Sequence, residues 1–86
     1  MASYQIEWKN SALKELQKLP RQVIPKIVAA VGDLSKDPYP QGVRKFIGSE
    51  DTFRIRAGDY RVIYEIFENK LIIEIIRVRH RKDVYR

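Results

Sequence analysis

Three runs of residues with the composition of β-strands follow one another in the C-terminal half of the chain, and they limit the fold more than any other feature. These runs cover residues 53–57, 60–67 and 71–78. They are separated only by residues 58–59 and 68–70, and short polar connections of this kind join strands that lie antiparallel to each other. The pattern therefore predicts an antiparallel meander.

Two helical segments are predicted in the N-terminal half. The first has Asn10 or Ser11 as its cap and ends before Pro20. The second is expected to begin near Arg21, because Pro25 lacks a backbone N–H and is tolerated only in a first turn, where N–H groups have no partner within the helix. The side chains of the first helix that are predicted to face water are Lys14, Glu15, Gln17 and Lys18.

A half-buried strand is predicted before the helices and a loop after them. Apolar and polar side chains alternate over residues 4–8, and residues 35–42 are rich in proline. These patterns predict an α+β fold, with an N-terminal strand, a two-helix hairpin and an antiparallel sheet packed on the helices. Trp8, Tyr60 and Tyr64 are in phase with the apolar positions and are assigned to the core. We expect one domain over residues 1–86.

Composition restricts the chemistry that this chain can perform. Its 17 Lys and Arg against 11 Asp and Glu give a net charge of +6, which favours an anionic partner such as nucleic acid or an acidic protein. With no cysteine and one histidine, we expect neither a metal nor another cofactor. A signal-peptide pattern is missing, and no segment has the roughly 20 apolar residues that span a bilayer, so a cytoplasmic protein is expected.

Arginines alternate with apolar residues in the first strand of the meander. If Phe53 and Ile55 face the helices, Arg54 and Arg56 face the other way, and a short hairpin brings Arg61 onto the same side. Cations on an exposed strand can serve only to prevent aggregation. However, clustered like charges repel one another, and folding alone gives no reason to collect them. The cluster therefore indicates a surface that binds anions.

The chain ends on a basic tail that directly follows the last apolar run. Residues 77–86 include five Lys and Arg side chains. Both alternating sets of the last strand are largely apolar, which is expected of a strand covered on both faces. A basic tail is often only a solvated end. Here it arrives from the strand beside Arg61, and we expect its cations to join the same surface.

Two motifs in the C-terminal half resemble those of a known protein family. Residues 53–65 read FRIRAGDYRVIYE and residues 77–85 read RVRHRKDVY. Both are similar to the RelE/ParE superfamily of bacterial and archaeal toxins, and most similar to its RelE branch. The likeness extends over nearly the whole chain, since the order of elements and the length also agree. It implies a small α+β toxin that enters the ribosomal A site and cleaves mRNA there, and a cognate antitoxin that silences it.

The resemblance also implies which residues act. Arg54 and Arg56 occupy basic strand positions of the family, Arg61 its strand arginine, Arg81 its C-terminal arginine and Tyr85 its C-terminal tyrosine. The implied reaction is a metal-independent attack of a ribose 2′-hydroxyl on the adjacent phosphate. Arg61 and Arg81 are the strongest catalytic candidates, because a guanidinium meets two phosphate oxygens at once and stays protonated.

The residues that transfer protons in this reaction are left open. Some relatives have lysines where Arg54 and Arg56 stand, and a guanidinium cannot act as a general base as lysine can. Tyr85 either stacks on a nucleobase or exchanges a proton. His80 is a further candidate for proton transfer, because histidine exchanges protons near neutral pH. The tail residues predicted to bind RNA are Arg77, Arg79 and Lys82.

Two other functions remain open. A ParE-type toxin shares the fold but inhibits DNA gyrase without catalysis, and its members generally lack this combination of strand cations, tail cations and terminal tyrosine. A passive nucleic-acid-binding domain would use the cations for affinity alone. For the RelE reading, the expected partners are the ribosome with its mRNA and a RelB-like antitoxin. An acidic or amphipathic segment of that antitoxin would cover the basic surface and exposed apolar positions such as Ile63 and Phe67.

Overall fold

Two helices and five strands make up the described part of the protein's computed structural model, which covers residues 3–83. This architecture confirms the predicted α+β class. In chain order the elements are β1 (Gln5–Trp8), α1 (Asn10–Gln17), α2 (Ile24–Leu34), β2 (Arg44–Lys45), β3 (Thr52–Ala57), β4 (Tyr60–Phe67) and β5 (Ile72–His80). The strands form one sheet in the order β1-β5-β4-β3-β2.

The first helix begins without the side-chain cap that its sequence predicts. Asn10 and Ser11 lie inside α1, and Lys9 is the N-cap residue with no side-chain cap hydrogen bond. The Lys9 carbonyl accepts the first hydrogen bond of the helix, from the Leu13 N–H at 3.0 Å. The predicted caps are therefore wrong by one or two residues.

The second helix begins later than predicted. Residues 21–23 form a turn, in which the Val23 N–H donates to the Pro20 carbonyl at 2.9 Å, and α2 starts at Ile24. The expected start near Arg21 is therefore wrong. Pro25 nevertheless falls in the first turn of α2, as its missing N–H requires.

The predicted meander is present and gains a strand on each side. β3, β4 and β5 pair antiparallel in sequence order, and the two-residue β2 pairs with β3. β1 pairs in parallel with the other edge of β5, and the two helices lead the chain from β1 to β2 at the opposite edge of the sheet. Residues 58–59 connect β3 to β4, and Gly58 has a φ of 61°, a conformation that glycine adopts without steric cost.

The core lies between the helices and one face of the sheet. Tyr64 is fully buried there and its hydroxyl donates to the Pro38 carbonyl at 2.8 Å, while Trp8 and Tyr60 pack partly buried against the core. The predicted core positions of these three aromatic residues are confirmed. The buried side chains of this core are Ala12, Leu16, Ile27, Val31 and Leu34 from the helices and Ile55, Val62, Tyr64, Ile66, Ile73, Ile75 and Val78 from the strands.

A β-bulge in β5 changes which residues face the core. Tyr64 pairs with Ile75 but Ile63 pairs with Arg77, so Ile76 is an extra residue opposite β4. The core positions of β5 are consequently Ile73, Ile75 and then Val78. The bulge therefore explains why both alternating sets of this strand are apolar. The expected cover is complete on the helix side of β5, whereas the side chains on its other face are half-buried.

Candidate RNA-binding face

The open face, which is the side of the sheet opposite the helices, carries a row of three arginines. Arg56 is the Cα partner of Arg61 across β3 and β4, and Arg61 is the partner of Arg79 across β4 and β5. Partners across antiparallel strands project from the same face, with Cβ atoms about 5 Å apart. The structure thus brings Arg56 and Arg61 together, as the alternation of the sequence predicts.

A second row lies next to the first on the open face. Arg54 is the Cα partner of Arg44 on one side and of Ile63 on the other, and Ile63 is the partner of Arg77. Arg54 is half-buried and Arg44 is exposed. The two rows place arginines on four neighbouring strands, and an extended polyanion that crosses these strands would meet several of them.

The connection between β3 and β4 holds both of the leading catalytic candidates. One guanidinium nitrogen of Arg61, Nη1, donates to the Gly58 carbonyl at 3.1 Å and to the Tyr60 carbonyl at 2.9 Å. The backbone N–H of Arg81 donates to the Asp59 carbonyl at 2.7 Å, and its Nε lies 3.9 Å from the Asp59 carboxylate. Arg81 comes directly after β5, so a turn of two residues brings it close to Arg61.

His80 ends β5 on the side opposite to Arg79. It is the Cα partner of Tyr60, and the two rings meet edge to face with centroids 5.3 Å apart. Its Nδ1 accepts a hydrogen bond from the Lys82 backbone N–H at 3.2 Å, so a neutral His80 carries its proton on Nε2. Lys82 itself is exposed.

Arg79 is less available for RNA than its place in the row suggests. Its Nε donates to a carboxylate oxygen of Glu15 at 2.9 Å, and the other oxygen of Glu15 accepts from the Val78 N–H at 2.9 Å. The expectation that Glu15 faces water is therefore wrong. The amphipathic pattern of α1 does not reveal this contact, because the residues that Glu15 contacts are more than 60 positions away in the sequence.

Acidic and apolar residues replace the arginines toward the other end of the open face. Glu7, Glu74 and Glu65 follow one another across β1, β5 and β4. A cavity of about 390 Å³ lies beside them and includes Ile63 in its lining. Ile63 is only 3% exposed, so the expectation that it is an exposed apolar position is wrong. Phe67 is half-buried.

Two site residues were not foreseen, and one predicted residue cannot be placed. Arg44 joins the second row only because β2 forms, and a strand of two residues leaves no periodic pattern in the sequence. Glu15 has the appearance of an ordinary polar residue on a helix. The predicted catalytic tyrosine, Tyr85, lies outside the described residues.

Residues 3–83 offer no grouping of three or more His, Asp and Glu side chains that could hold a metal ion. Within the same residues, neither helix is long and apolar enough to cross a membrane.

Comparison with known proteins agrees with the motifs. The sequence profile described as "ParE toxin of type II toxin-antitoxin system, parDE" matches residues 6–85. Toxin RelG of Mycobacterium tuberculosis is 36% identical over 84 residues, which span 96% of this chain and 97% of that protein. The mRNA interferase toxin RelE of Escherichia coli K12 is 28% identical over 87 residues, which span 96% of this chain and 90% of that protein.

A solved structure shares the fold over most of its length. The toxin-antitoxin complex RelBE2 from Mycobacterium tuberculosis contains a chain that superposes with a TM-score of 0.81 and 31% identity, covering 92% of this chain and 99% of that one. Sequence profile, relatives and fold therefore agree, and the chain belongs to the ParE toxin family of type II toxin-antitoxin systems, within the RelE/ParE superfamily.

Proposed function

We propose that this toxin is a metal-independent endoribonuclease that cleaves mRNA in the A site of the ribosome. The observation that carries the proposal is that Arg61 and Arg81 both form hydrogen bonds with the 58–59 turn, on the edge of a face that carries further arginines. The similar toxin RelE of Escherichia coli, whose name describes it as an mRNA interferase, supports the same activity.

The reaction is an attack of a ribose 2′-hydroxyl oxygen on the adjacent phosphorus. The new O–P bond forms while the bond from phosphorus to the 5′-oxygen breaks, which leaves a 2′,3′-cyclic phosphate and a 5′-hydroxyl. Negative charge develops on the phosphoryl oxygens, and Arg61 and Arg81 supply the counter-charge as planar hydrogen-bond donors. A preorganised donor of this kind lowers the barrier by about 3 to 4 kcal/mol. Arg54 and Arg56 bind flanking phosphates and hold the strand in line.

One proton leaves the 2′-hydroxyl and another arrives at the departing 5′-oxygen. Tyr85 is the first candidate for these transfers, either as a proton donor or as a platform on which a nucleobase stacks. His80 is the second candidate and would act through Nε2, since the Lys82 N–H occupies its Nδ1, but it lies on the side of β5 opposite to Arg79. The exposed Lys82 and the half-buried Arg77 add RNA phosphate contacts.

A RelB-like antitoxin is the proposed regulatory partner in the cytoplasm. The similar Mycobacterium tuberculosis structure is a toxin-antitoxin complex, and a segment with acidic side chains would neutralise the arginine rows of this chain. Affinity purification of the tagged toxin from its native host should recover a small acidic protein. Recovery of the toxin alone under mild salt would contradict this part of the proposal.

The activity is tested with ribosomes that carry a defined mRNA, an occupied P site and an empty A site. The wild type should cut within the A-site codon in the presence of a chelator, whereas Arg81→Ala should cut at least about a hundredfold more slowly. Arg21→Ala is the matched control, because it removes the same charge from an exposed position of the helical half and should cut normally. Mapping of both RNA ends identifies the cyclic phosphate.

Inhibition of DNA gyrase is the second candidate function, and the family profile favours it because its description names ParE. A supercoiling assay with purified gyrase distinguishes the two. Inhibition of supercoiling without RNA cleavage would replace the endoribonuclease proposal. Salt-dependent binding to RNA with neither effect would instead indicate a passive nucleic-acid-binding domain.

A further inference from the structure

The outer edge of β5 loses its strand partner before the strand ends. β1 pairs only with residues 72–75 of β5, and the last ladder bond runs from the Lys9 N–H to the Ile75 carbonyl at 3.0 Å. The chain then turns into α1, so within residues 3–83 no strand adjoins residues 76–80 on that edge. Backbone groups on such an edge need another partner.

Glu15 of α1 takes the place of the missing strand. Its Oε1 accepts from the Val78 N–H and its Oε2 accepts from Arg79 Nε, both at 2.9 Å. Val78 is part of the core, and the side chains of Glu15 and Arg79 are 26% and 32% exposed. The carboxylate therefore connects the helix layer to the end of β5 through one backbone bond and one ion pair.

The same short segment is held from its other edge. Arg81 donates its N–H to the Asp59 carbonyl at 2.7 Å, beside the turn that also holds the Arg61 guanidinium. Residues 78–81 are thus fixed between α1 on one side and the 58–59 turn on the other. Residues 78–80 also pair with β4, so loss of the bond to α1 would leave that ladder and the bond to the turn, and would free the outer edge of the segment from which Arg81 extends.

We infer that Glu15 is a positioning residue for the cleavage reaction. Its two contacts fix the end of β5, so that Arg81 stands ready beside Arg61, and Glu15 itself touches neither RNA nor the reacting atoms. The inference rests on the proposed endoribonuclease function. A positioning role for Glu15 can be distinguished from a purely structural role. If Glu15 positions Arg81, loss of its contacts should slow the chemical step more than it weakens binding to the ribosome.

The test compares Glu15→Ala, Glu15→Gln and Lys14→Ala with the wild type. Lys14 is the adjacent exposed residue of α1 and serves as the control. The readouts are the single-turnover cleavage rate at saturating ribosomes, the ribosome concentration at half-saturation, and hydrogen exchange of the Val78 amide. Exchange reports the contact without any need for activity.

Glu15→Ala should cut about tenfold to a hundredfold more slowly at saturation, because a displacement of about 1 Å has effects of this size. The ribosome concentration at half-saturation should change by less than about threefold, and the Val78 amide of this variant should exchange faster. Glu15→Gln keeps an oxygen that can accept from the Val78 N–H, so it should recover most of the rate. Lys14→Ala should match the wild type in all three readouts.

A Glu15→Ala variant that loses Val78 protection but cuts at the wild-type rate would overturn the inference and leave the proposed function intact. A wild type that fails to cut on ribosomes would overturn the proposed function itself. If Glu15→Ala does not fold, Glu15→Ser carries the test, because its short side chain cannot bridge the Val78 N–H and Arg79 Nε. A Glu15→Ser variant that loses Val78 protection but cuts at the wild-type rate would also overturn the inference.

Discussion

The two faces of β3, β4 and β5 differ in the side chains that they carry. On the helix-covered face, Val62 and Tyr64 of β4 are fully buried among apolar neighbours. On the open face of the same strand, Arg61 lies between two further arginines. One face gains stability from burial, whereas the other collects charges that repel one another. Neighbouring residues of one strand should therefore separate stability from function.

The largest expected effect is on stability and comes from the covered face. Ile73→Ala removes a fully buried side chain from the centre of the sheet and should lower the free energy of unfolding by about 2 to 5 kcal/mol. Urea unfolding followed by circular dichroism measures this loss. Glu74→Ala, one residue further along β5, is the control and should change stability by less than about 0.5 kcal/mol. Equal losses of unfolding free energy in both variants would show that the two faces do not differ in their contribution to stability.

A similarly large effect on activity is expected from the open face. Arg61→Ala should slow A-site cleavage by about a hundredfold to a thousandfold, because it removes a donor for the developing charge. Its free energy of unfolding should change by no more than about 1 kcal/mol, since the lost hydrogen bonds are partly offset by reduced repulsion. Arg44→Ala, in the outer part of the second row, should reduce the rate by less than tenfold, about 1.4 kcal/mol. A destabilised but active Arg61→Ala would reverse the assignment.

A smaller effect is expected at the turn that joins β3 to β4. Gly58 has a φ of 61°, and a Cβ at this position meets no atom within 4 Å, so the cost of Gly58→Ala is conformational rather than steric crowding. It should amount to about 1 to 2 kcal/mol of unfolding free energy. Cleavage should also slow, because the turn holds both Arg61 and Arg81. Thermal unfolding together with the ribosome assay would show whether the two losses coincide.

The smallest expected effect is a loss of stability at alkaline pH. The hydrogen bond to Glu68, with a further contribution from burial, raises the pKa of Tyr39 from 10.0 to about 12. A raised pKa means that the folded state holds the phenol proton more tightly, so this stabilisation is complete below pH 10 and is lost as pH rises through about 12.

Unfolding of the wild type and of Tyr39→Phe over that pH range measures the contribution of Tyr39. Burial also raises the pKa of Tyr64, so the variant should keep part of the alkaline decline. An identical decline in both proteins would assign the whole effect to groups other than Tyr39.

Most of the fold could be predicted because its elements carry local signals. Alternation marks β1 and the meander, the 58–59 turn contains a glycine in the required place, and Pro25 restricts where α2 can start. The parallel pairing of β1 with β5 depends on how the helices cross the sheet, and β2 is too short for any pattern. The caps of α1 were mispredicted because Lys9 supplies the first carbonyl instead.

The arginine positions on β3 and β4 could also be predicted, whereas the supports of the site could not. Strand periodicity and a tight hairpin suffice to put Arg56 beside Arg61. Glu15, in contrast, meets Val78 and Arg79 across more than 60 residues of sequence, and only the tertiary structure brings these residues together. The roles of the individual cations and of Tyr85 stay predictions.

The β-bulge at Ile76 decides which side chains at the end of β5 face the core and which face outward. After Ile73 and Ile75 face the core, uninterrupted alternation would send Arg77 and Arg79 inward and Val78 outward. Deletion of this one isoleucine would remove the bulge and leave the same directions, with Val78 inward and Arg77 and Arg79 outward. A deep mutational scan for growth inhibition should therefore tolerate deletion of Ile76 better than deletion of Val78, which would move Arg79 to a core position.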